Sequence, residues 1–457
     1  MYLDKENSIA KSSYNRWFVP IAALSIHLCI GQIYAFSVFN KPLTKIIGIT
    51  EQVPDDWKLT ELGWIFTIAI FFLGASAAVL GKWVERVGPR KTMLYAAICF
   101  SSGFLISAIG IYSHQLWLLY LGSGVLGGIG LGLGYISPVS TLIKWFPDRP
   151  GMATGMAIMG FGGGAMIASP LSVHLMEFYA SDTSAGVYET FITMGLIYLV
   201  MMLFGSFIVR IPSDDWKPKG FDPQKTKRNK LITNNNVLVD KAVKTPQFWL
   251  LFMVLGLNVS AGIGVLSQAS VMIQEMFSAE NIGSELAVTA RDAAIFVGLL
   301  SLFNMIGRFV WSSLSDYLGR KTTYAIFFIL GIVLYVLIPF TGKMGSVLLF
   351  TISFSIIISM YGGGFATIPA YLKDMFGNKQ IGAIHGRLLL AWSMAAIIGP
   401  VTINYLREYQ IEVLQMPTTE VYNLTMYLMA GLLFIGLLCN LFIKPVDSKY
   451  HLESSSD

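Results

Sequence analysis

Gly81-Lys82-Trp83-Val84-Glu85-Arg86-Val87-Gly88-Pro89-Arg90-Lys91 closes one long apolar run. Ser312-Ser313-Leu314-Ser315-Asp316-Tyr317-Leu318-Gly319-Arg320-Lys321 closes another. In each, an acid stands three residues before a glycine and a basic pair follows it. Glu85 maps to Asp316 and Gly88 to Gly319, both at an offset of 231 residues. Other landmarks repeat at nearly the same spacing. Pro170 maps to Pro400 at an offset of 230, and Gly134-Tyr135 before Phe146 maps to Gly364-Phe365 before Phe376. A repeat of this length means two similar halves. Two six-span halves around a site near the middle of the membrane are a common layout of membrane carriers. The halves are expected at 1–210 and 247–457, joined by a linker at 211–246.

Composition places both halves in a membrane. The chain is 54% hydrophobic and only 13% charged, against about 25% charged in an average soluble domain. Apolar runs of about 20 residues, each enough to cross the hydrocarbon core as a helix, fall near 17–40, 61–81, 92–112, 116–143, 152–178, 188–209, 248–274, 288–311, 322–341, 345–371, 381–406 and 421–443. Their length predicts helices rather than the shorter alternating strands of a barrel. The first 16 residues carry no apolar core of a cleaved signal, so none is expected. Twelve spans put both termini on one side. Of the 32 lysines and arginines, 25 fall on that side and 6 on the other, which predicts cytoplasmic termini and an inner (plasma) membrane location. The net charge of +5 is spread over short loops and does not form a nucleic-acid patch. Cys29, Cys99 and Cys439 lie in apolar runs, so disulfides are not expected.

The remaining basic residue, Arg308, stands inside span 8. A guanidinium stays charged when buried, and placing it in a span costs about 2.5–3.5 kcal/mol on insertion scales. Such a group is expected to face a cavity, a partner or a substrate. Its planar fork of donors fits a carboxylate through two parallel hydrogen bonds. The plainer readings are a side chain reaching the membrane surface, or a pair with an acid. Arg308 lies eight residues before Asp316, about 12 Å along a helix, which is deep for the first. No Asp or Glu lies well inside any span, which argues against the second. No nucleophile–base pair, metal-ligand cluster or cofactor motif stands out, so no enzyme, metal or cofactor is expected. Gly122-Ser-Gly124-Val-Leu-Gly127 fits a dinucleotide fingerprint in letters only. It lies inside an apolar helix with no preceding strand and reads as helix-to-helix contact.

With these residues in place the chain resembles the major facilitator superfamily, whose loop signature looks like Gly81 through Lys91 and recurs more weakly at Ser312 through Lys321. Within it, Lys144-Trp145-Phe146-Pro147-Asp148-Arg149-Pro150-Gly151, Thr245-Pro246-Gln247-Phe248-Trp249 and Leu302-Phe303-Asn304 resemble the oxalate:formate antiporter family. The resemblance implies an all-α membrane fold of twelve helices in two pseudo-symmetric halves. It also implies transport of small carboxylates, with the span-8 arginine as the anion contact. Tyr34, Tyr135, Phe161, Tyr361 and Phe365 match positions where that family places an aromatic cage. The second cation that accompanies oxalate there, a lysine in span 11, is replaced by Trp392, which favours a monocarboxylate such as formate, lactate or pyruvate. Asn304 stands where proton-coupled monocarboxylate carriers place an aspartate.

His27, Gly31 and Tyr34 share one helical face, and His27 is a candidate for carrying a coupled proton. The alternative is a neutral histidine satisfied by its neighbours. Gly81, Glu85, Arg86, Gly88, Arg90, Asp316, Gly319 and Arg320 are expected to form conformational-switch loops, the acids holding a helix N-terminus or a basic partner. The sequence therefore predicts a secondary carrier of small organic monoanions that works by alternating access, through exchange or proton coupling. It is expected to act as a monomer, with membrane lipid as its surroundings. Rival readings are a dicarboxylate:monocarboxylate exchanger and a non-transporting sensor on the same fold. The second is disfavoured by tails too short for a signalling domain.

Overall fold

The computed structural model describes residues 2–11, 13–49, 51–213, 216–220, 231–233, 235–283, 287–418 and 420–452. The side chains of residues 267, 282, 290, 401, 404 and 412 lie outside that description, as does the basic run of the linker at 221–230. Among the described residues, twelve helices are long and apolar enough to cross a bilayer. They are spans 1 (Arg16–Leu43), 2 (Leu59–Val87), 3 (Pro89–Tyr112), 4 (Leu116–Trp145), 5 (Pro150–Tyr179), 6 (Val187–Ile208), 7 (Pro246–Leu266), 8 (Arg291–Leu318), 9 (Arg320–Lys343), 10 (Val347–Phe376), 11 (Ile381–Ile411) and 12 (Asn423–Leu441). The helix of span 7 continues to Met276.

Spans 1–6 pack chiefly on one another, and so do spans 7–12. The bundles meet where span 5 crosses span 8 and span 2 crosses span 11. Small residues make those crossings. A Cβ on Gly155 would stand 2.2 Å from the Ser312 hydroxyl, and one on Gly81 would stand 2.7 Å from the Ala383 backbone. Neither approach has room for a side chain. The glycine fingerprint of span 4 is likewise a crossing, since a Cβ on Gly122 would meet the Gly103 carbonyl at 2.6 Å. Span 1 is α-helical over Val19–Ile30 and tightens to 3-10 geometry over Gly31–Phe39. The change falls where Gly31 meets the Phe161 carbonyl and Gly164 of span 5.

The repeated signature differs from the expected loops. Span 2 runs on to Val87 and span 3 begins at Pro89, while span 8 runs to Leu318 and span 9 begins at Arg320. Gly81, Glu85 and Arg86 are therefore helical. Each connection is one glycine, with φ of 83° at Gly88 and 87° at Gly319, backbone values that favour a residue without a Cβ. Pro89 then restarts span 3 as helix at once, and Arg320 restarts span 9 directly after Gly319. The apolar run ends earlier than the helix because the last two turns leave the hydrocarbon and present charge.

Candidate functional site

Arg308 is buried, with 0% of its surface exposed. Its Nε donates to Asn304 Oδ1, one turn earlier in span 8, at 3.0 Å, and its Nη1 donates to the Ile158 carbonyl of span 5 at 3.4 Å. Nη2 has no partner, and no carboxylate pairs with the side chain among the described residues. Two glycines make room for it. A Cβ on Gly162 would stand 2.9 Å from Arg308 Nε, and one on Gly362 would stand 3.1 Å from its Cγ. A charge held this way in low dielectric, without a counter-ion, costs several kcal/mol.

Around it stand the aromatics expected from sequence. The guanidinium carbon lies 5.5 Å from the Phe161 ring centroid and 5.4 Å from that of Phe365. Trp392 touches the same two rings at 5.6 and 4.7 Å, so Arg308, Phe161, Trp392 and Phe365 close a ring of contacts drawn from both halves. Tyr135 meets Phe161 edge-on at 5.4 Å and lies tilted against Trp392 at 5.8 Å. Tyr34 packs on Phe161 at 5.1 Å, and Tyr361 on Phe365 at 5.2 Å. The Tyr34 and Tyr361 side chains neighbour each other across the halves, yet neither hydroxyl reaches a partner in hydrogen-bonding geometry. The Tyr135 hydroxyl and Trp392 Nε1 are also buried without partners. Five polar groups able to donate thus converge on one apolar nest. Each buried donor without an acceptor costs about 1–3 kcal/mol.

His27 adjoins Tyr135, with ring centroids 5.5 Å apart. Sequence reasoning missed His385, on the first turns of span 11, which contacts Tyr135 at 5.8 Å. It also missed Gln32, whose buried Nε2 has no partner. His385 shares a helical face with Trp392, seven residues on, but nothing in that spacing sets it apart from its neighbours, and Gln32 shares no such spacing with a singled-out residue.

The signature acids bind helix N-termini across the halves. Glu85 Oε1 accepts from the Gly382 amide at 2.9 Å, and Oε2 accepts from Lys144 Nζ at 2.8 Å. Asp316 accepts from the Gly151 and Met152 amides at 2.8 and 2.9 Å and from Arg320 Nη2 at 2.5 Å. Arg320 also donates from Nε to Asp374 at 3.2 Å. Both anions sit where free amides and the helix dipole favour negative charge. Arg90 does not copy Arg320. It donates to the Tyr2, Asn7 and Val209 carbonyls and covers the Tyr2 ring, fastening the N-terminal segment. Arg86 is exposed. On the same face Asp240 accepts from Lys82 of span 2 at 2.5 Å and from both terminal nitrogens of Arg387 in span 11 at 3.3 Å. Lys82, first and most strongly, and then Arg387 hold the Asp240 carboxyl below the usual carboxylate range.

Two helical bundles clasped at one face, around a buried cation with spare donors, have the form of a membrane transport protein. A profile of the Major Facilitator Superfamily matches residues 22–400 and 261–456, and the chain belongs to that superfamily of transporters. The uncharacterized MFS-type transporter YhjX of Escherichia coli (strain K12) is 25% identical over 383 residues, covering 84% of this chain and 86% of the relative. The oxalate:formate antiporter of Oxalobacter formigenes is 26% identical over 386 residues, covering 84% and 83%. Apicoplast pyruvate carrier 1 of Toxoplasma gondii is 23% identical over 444 residues, covering 88% and 78%. Among solved structures, the proton:xylose symporter XylE superposes with a TM-score of 0.69 at 14% identity, covering 95% of this chain and 96% of that one, a likeness of fold.

Proposed function

We propose that this transporter moves small organic monoanions of the formate, lactate and pyruvate class, with Arg308 as the carboxylate contact. The observation that carries this reading is the buried Arg308 guanidinium with a free Nη2 and, among the described residues, no acid paired with it. A carboxylate supplies both the missing charge and an acceptor for the free N–H. The hydroxyls of Tyr34, Tyr135 and Tyr361 and the Trp392 indole supply further donors, and Phe161 and Phe365 keep the site dry, which strengthens the attraction. An oxalate:formate antiporter and a pyruvate carrier among the relatives support the substrate class. Because Asn304 rather than an acid holds Arg308, no carboxylate among the described residues offsets the charge when no anion is bound, which favours exchange of one anion for another. The bias of basic residues supports cytoplasmic termini, in keeping with a carrier of the inner (plasma) membrane. The clasped face then closes the cytoplasmic path, and the carrier works as a monomer in lipid.

The test is uptake of labelled formate, lactate, pyruvate and oxalate into liposomes holding the purified protein, preloaded with unlabelled anion or left unloaded. Saturable monocarboxylate uptake that needs internal anion and is lost in Arg308→Gln is the expected result. Normal transport by Arg308→Gln would overturn the carboxylate contact.

A further inference from the structure

Tyr135 is flanked by two histidines that the carboxylate contact does not use. His27 Nδ1 lies 3.1 Å from the Ala23 carbonyl. A carbonyl only accepts, so Nδ1 carries the hydrogen and Nε2 presents a bare lone pair. That Nε2 is buried without a partner, and so is Nε2 of His385. One histidine comes from each half of the fold. Both stand seven residues below a cage member, His27 below Tyr34 and His385 below Trp392, about 10 Å toward the clasped face at 1.5 Å per residue. The cage above them is lined with donors, whereas these two imidazoles offer places for a proton.

The charged and titratable groups around the pair are few. Onto span 1, span 4 brings Tyr135, span 5 brings Gly160, and span 6 brings Tyr198, which is turned toward Cys29. Arg308 reaches in from span 8 past the span-5 glycines. Onto the start of span 11, span 2 brings Glu85 and Lys82, bound to Lys144 and Asp240. Span 4 brings Tyr135 and Lys144; spans 10 and 7 also pack against this segment, and the span-10 acid Asp374 is bound to Arg320. Arg308 is thus the one cation at this level without a bound carboxylate among the described residues.

We propose that His27 and His385 form a protonatable second cation site, so that a doubly charged carboxylate is carried with one proton and a singly charged one is carried alone. The proposal rests on the carboxylate reading above. One monoanion neutralises Arg308. A dianion leaves one buried negative charge, which costs several kcal/mol, and Trp392 offers an N–H but no charge to offset it. A proton taken from water onto one of the two imidazoles restores neutrality, and it returns to water when the clasped face opens and parts span 4 from span 11. No other bond changes. The imidazolium gains from the Tyr135 ring, whose hydroxyl is free to donate to the second carboxylate. A proton carried with a monoanion would instead leave an unpaired positive charge.

The experiment uses the full chain in liposomes preloaded with unlabelled pyruvate, with equal pH on both sides, at about pH 5.5 and about pH 7.5, spanning the histidine range. The KM values for labelled pyruvate and labelled oxalate are measured, with a trapped pH dye reporting proton entry. The expected result is an oxalate KM at least about tenfold lower at the acid pH, one pKa unit being worth a factor of ten, with the pyruvate KM almost unmoved. Protons should enter with oxalate and not with pyruvate. In the double variant His27→Gln with His385→Gln the oxalate-to-pyruvate KM ratio should lose its pH dependence. An oxalate KM indifferent to pH, oxalate excluded at both pH values, proton entry with pyruvate, or an unchanged pH dependence in the double variant would overturn the proposal. If a variant fails to fold, the dye record of the unmodified protein decides. If pyruvate itself is not exchanged, the parent reading fails; if pyruvate exchanges normally and oxalate gives one of these contrary results, only the present proposal does.

Discussion

Glu85 in the last turns of span 2 accepts the amide of Gly382 at the start of span 11, at 2.9 Å, across the boundary between the halves. Asp316 does the same in the other direction, to Gly151 of span 5 at 2.8 Å. Each half thus supplies an acid to a helix N-terminus of the other, and opening this face breaks both contacts. The two clasps are neutralised differently. Lys144 serves Glu85 directly, while Asp316 and Asp374 share the buried Arg320.

Removing the Glu85 charge weakens the first clasp. A charge-assisted hydrogen bond to a helix end becomes a neutral one, a loss of about 1–2 kcal/mol, or about 5- to 30-fold in population. Glu85→Gln is expected to shift the protein toward the state open at the clasped face. Spin-label distances between the clasped ends of spans 2 and 11 measure it; unchanged distance distributions would remove the switch role.

Asp316→Asn is expected to act more strongly. The side chains of Asp316 and Arg320 are 8% and 6% exposed, and breaking a buried pair on one side costs about 3–5 kcal/mol. Thermal stability in detergent should fall clearly below that of Glu85→Gln, and Asp316→Asn with Asp374→Asn should cost less than the sum of the two, because both acids act on Arg320.

Gly162→Ala tests the seat of Arg308. The added methyl would meet Nε at 2.9 Å and Cδ at 3.0 Å, so the guanidinium must move and its bond to Asn304 must lengthen. Expression and melting temperature should stay near those of the unmodified protein, while substrate affinity falls at least about tenfold, as expected when about 1.4 kcal/mol of oriented contact is lost. Equal affinity would mean that Arg308 does not need this position.

The Asp240 bridge is exposed, with side-chain exposures of 60% for Asp240 and 48% for Lys82, so Asp240→Asn should change transport a few-fold at most. Its carboxyl is depressed by Lys82. A depressed acid contributes fully above its unfolded value and loses the contribution only as pH falls through the folded one. The bridge should therefore be indifferent to pH near neutrality and weaken only in strong acid. Cysteine accessibility at the clasped face against pH and salt checks this. A response between neutral and mildly acidic pH would belong to another group.

Much of the fold could be read from the chain before any coordinates. The spacing from Glu85 to Asp316 fixed the doubling, and twelve apolar runs fixed the spans, because lipid leaves a backbone no alternative to internal hydrogen bonding. Arg308 was legible for the same reason, since a charge inside a span has few explanations. The helical ends at Val87 and Leu318 were not legible, because hydropathy stops where the hydrocarbon stops and the hydrogen-bond ladder continues. His385 was not legible either. Its importance lies in touching Tyr135 of the other half, 250 residues earlier in the chain.

What the sequence determined by itself is whatever depends on one helix at a time: the number of spans, the doubling, the side on which positive charge gathers and the presence of a cation, Arg308, inside a span. What only the tertiary structure decided depends on two helices meeting. That includes the pairing of Glu85 with Gly382 and of Asp316 with Gly151, the closure of Phe161, Phe365 and Trp392 around Arg308, and the placing of His27 and His385 on either side of Tyr135. Hydropathy and charge act through the surrounding solvent and are local in the chain. Close contact acts through shape, and the glycines that allow it at Gly155, Gly162 and Gly362 acquire meaning only when the opposing surface is known.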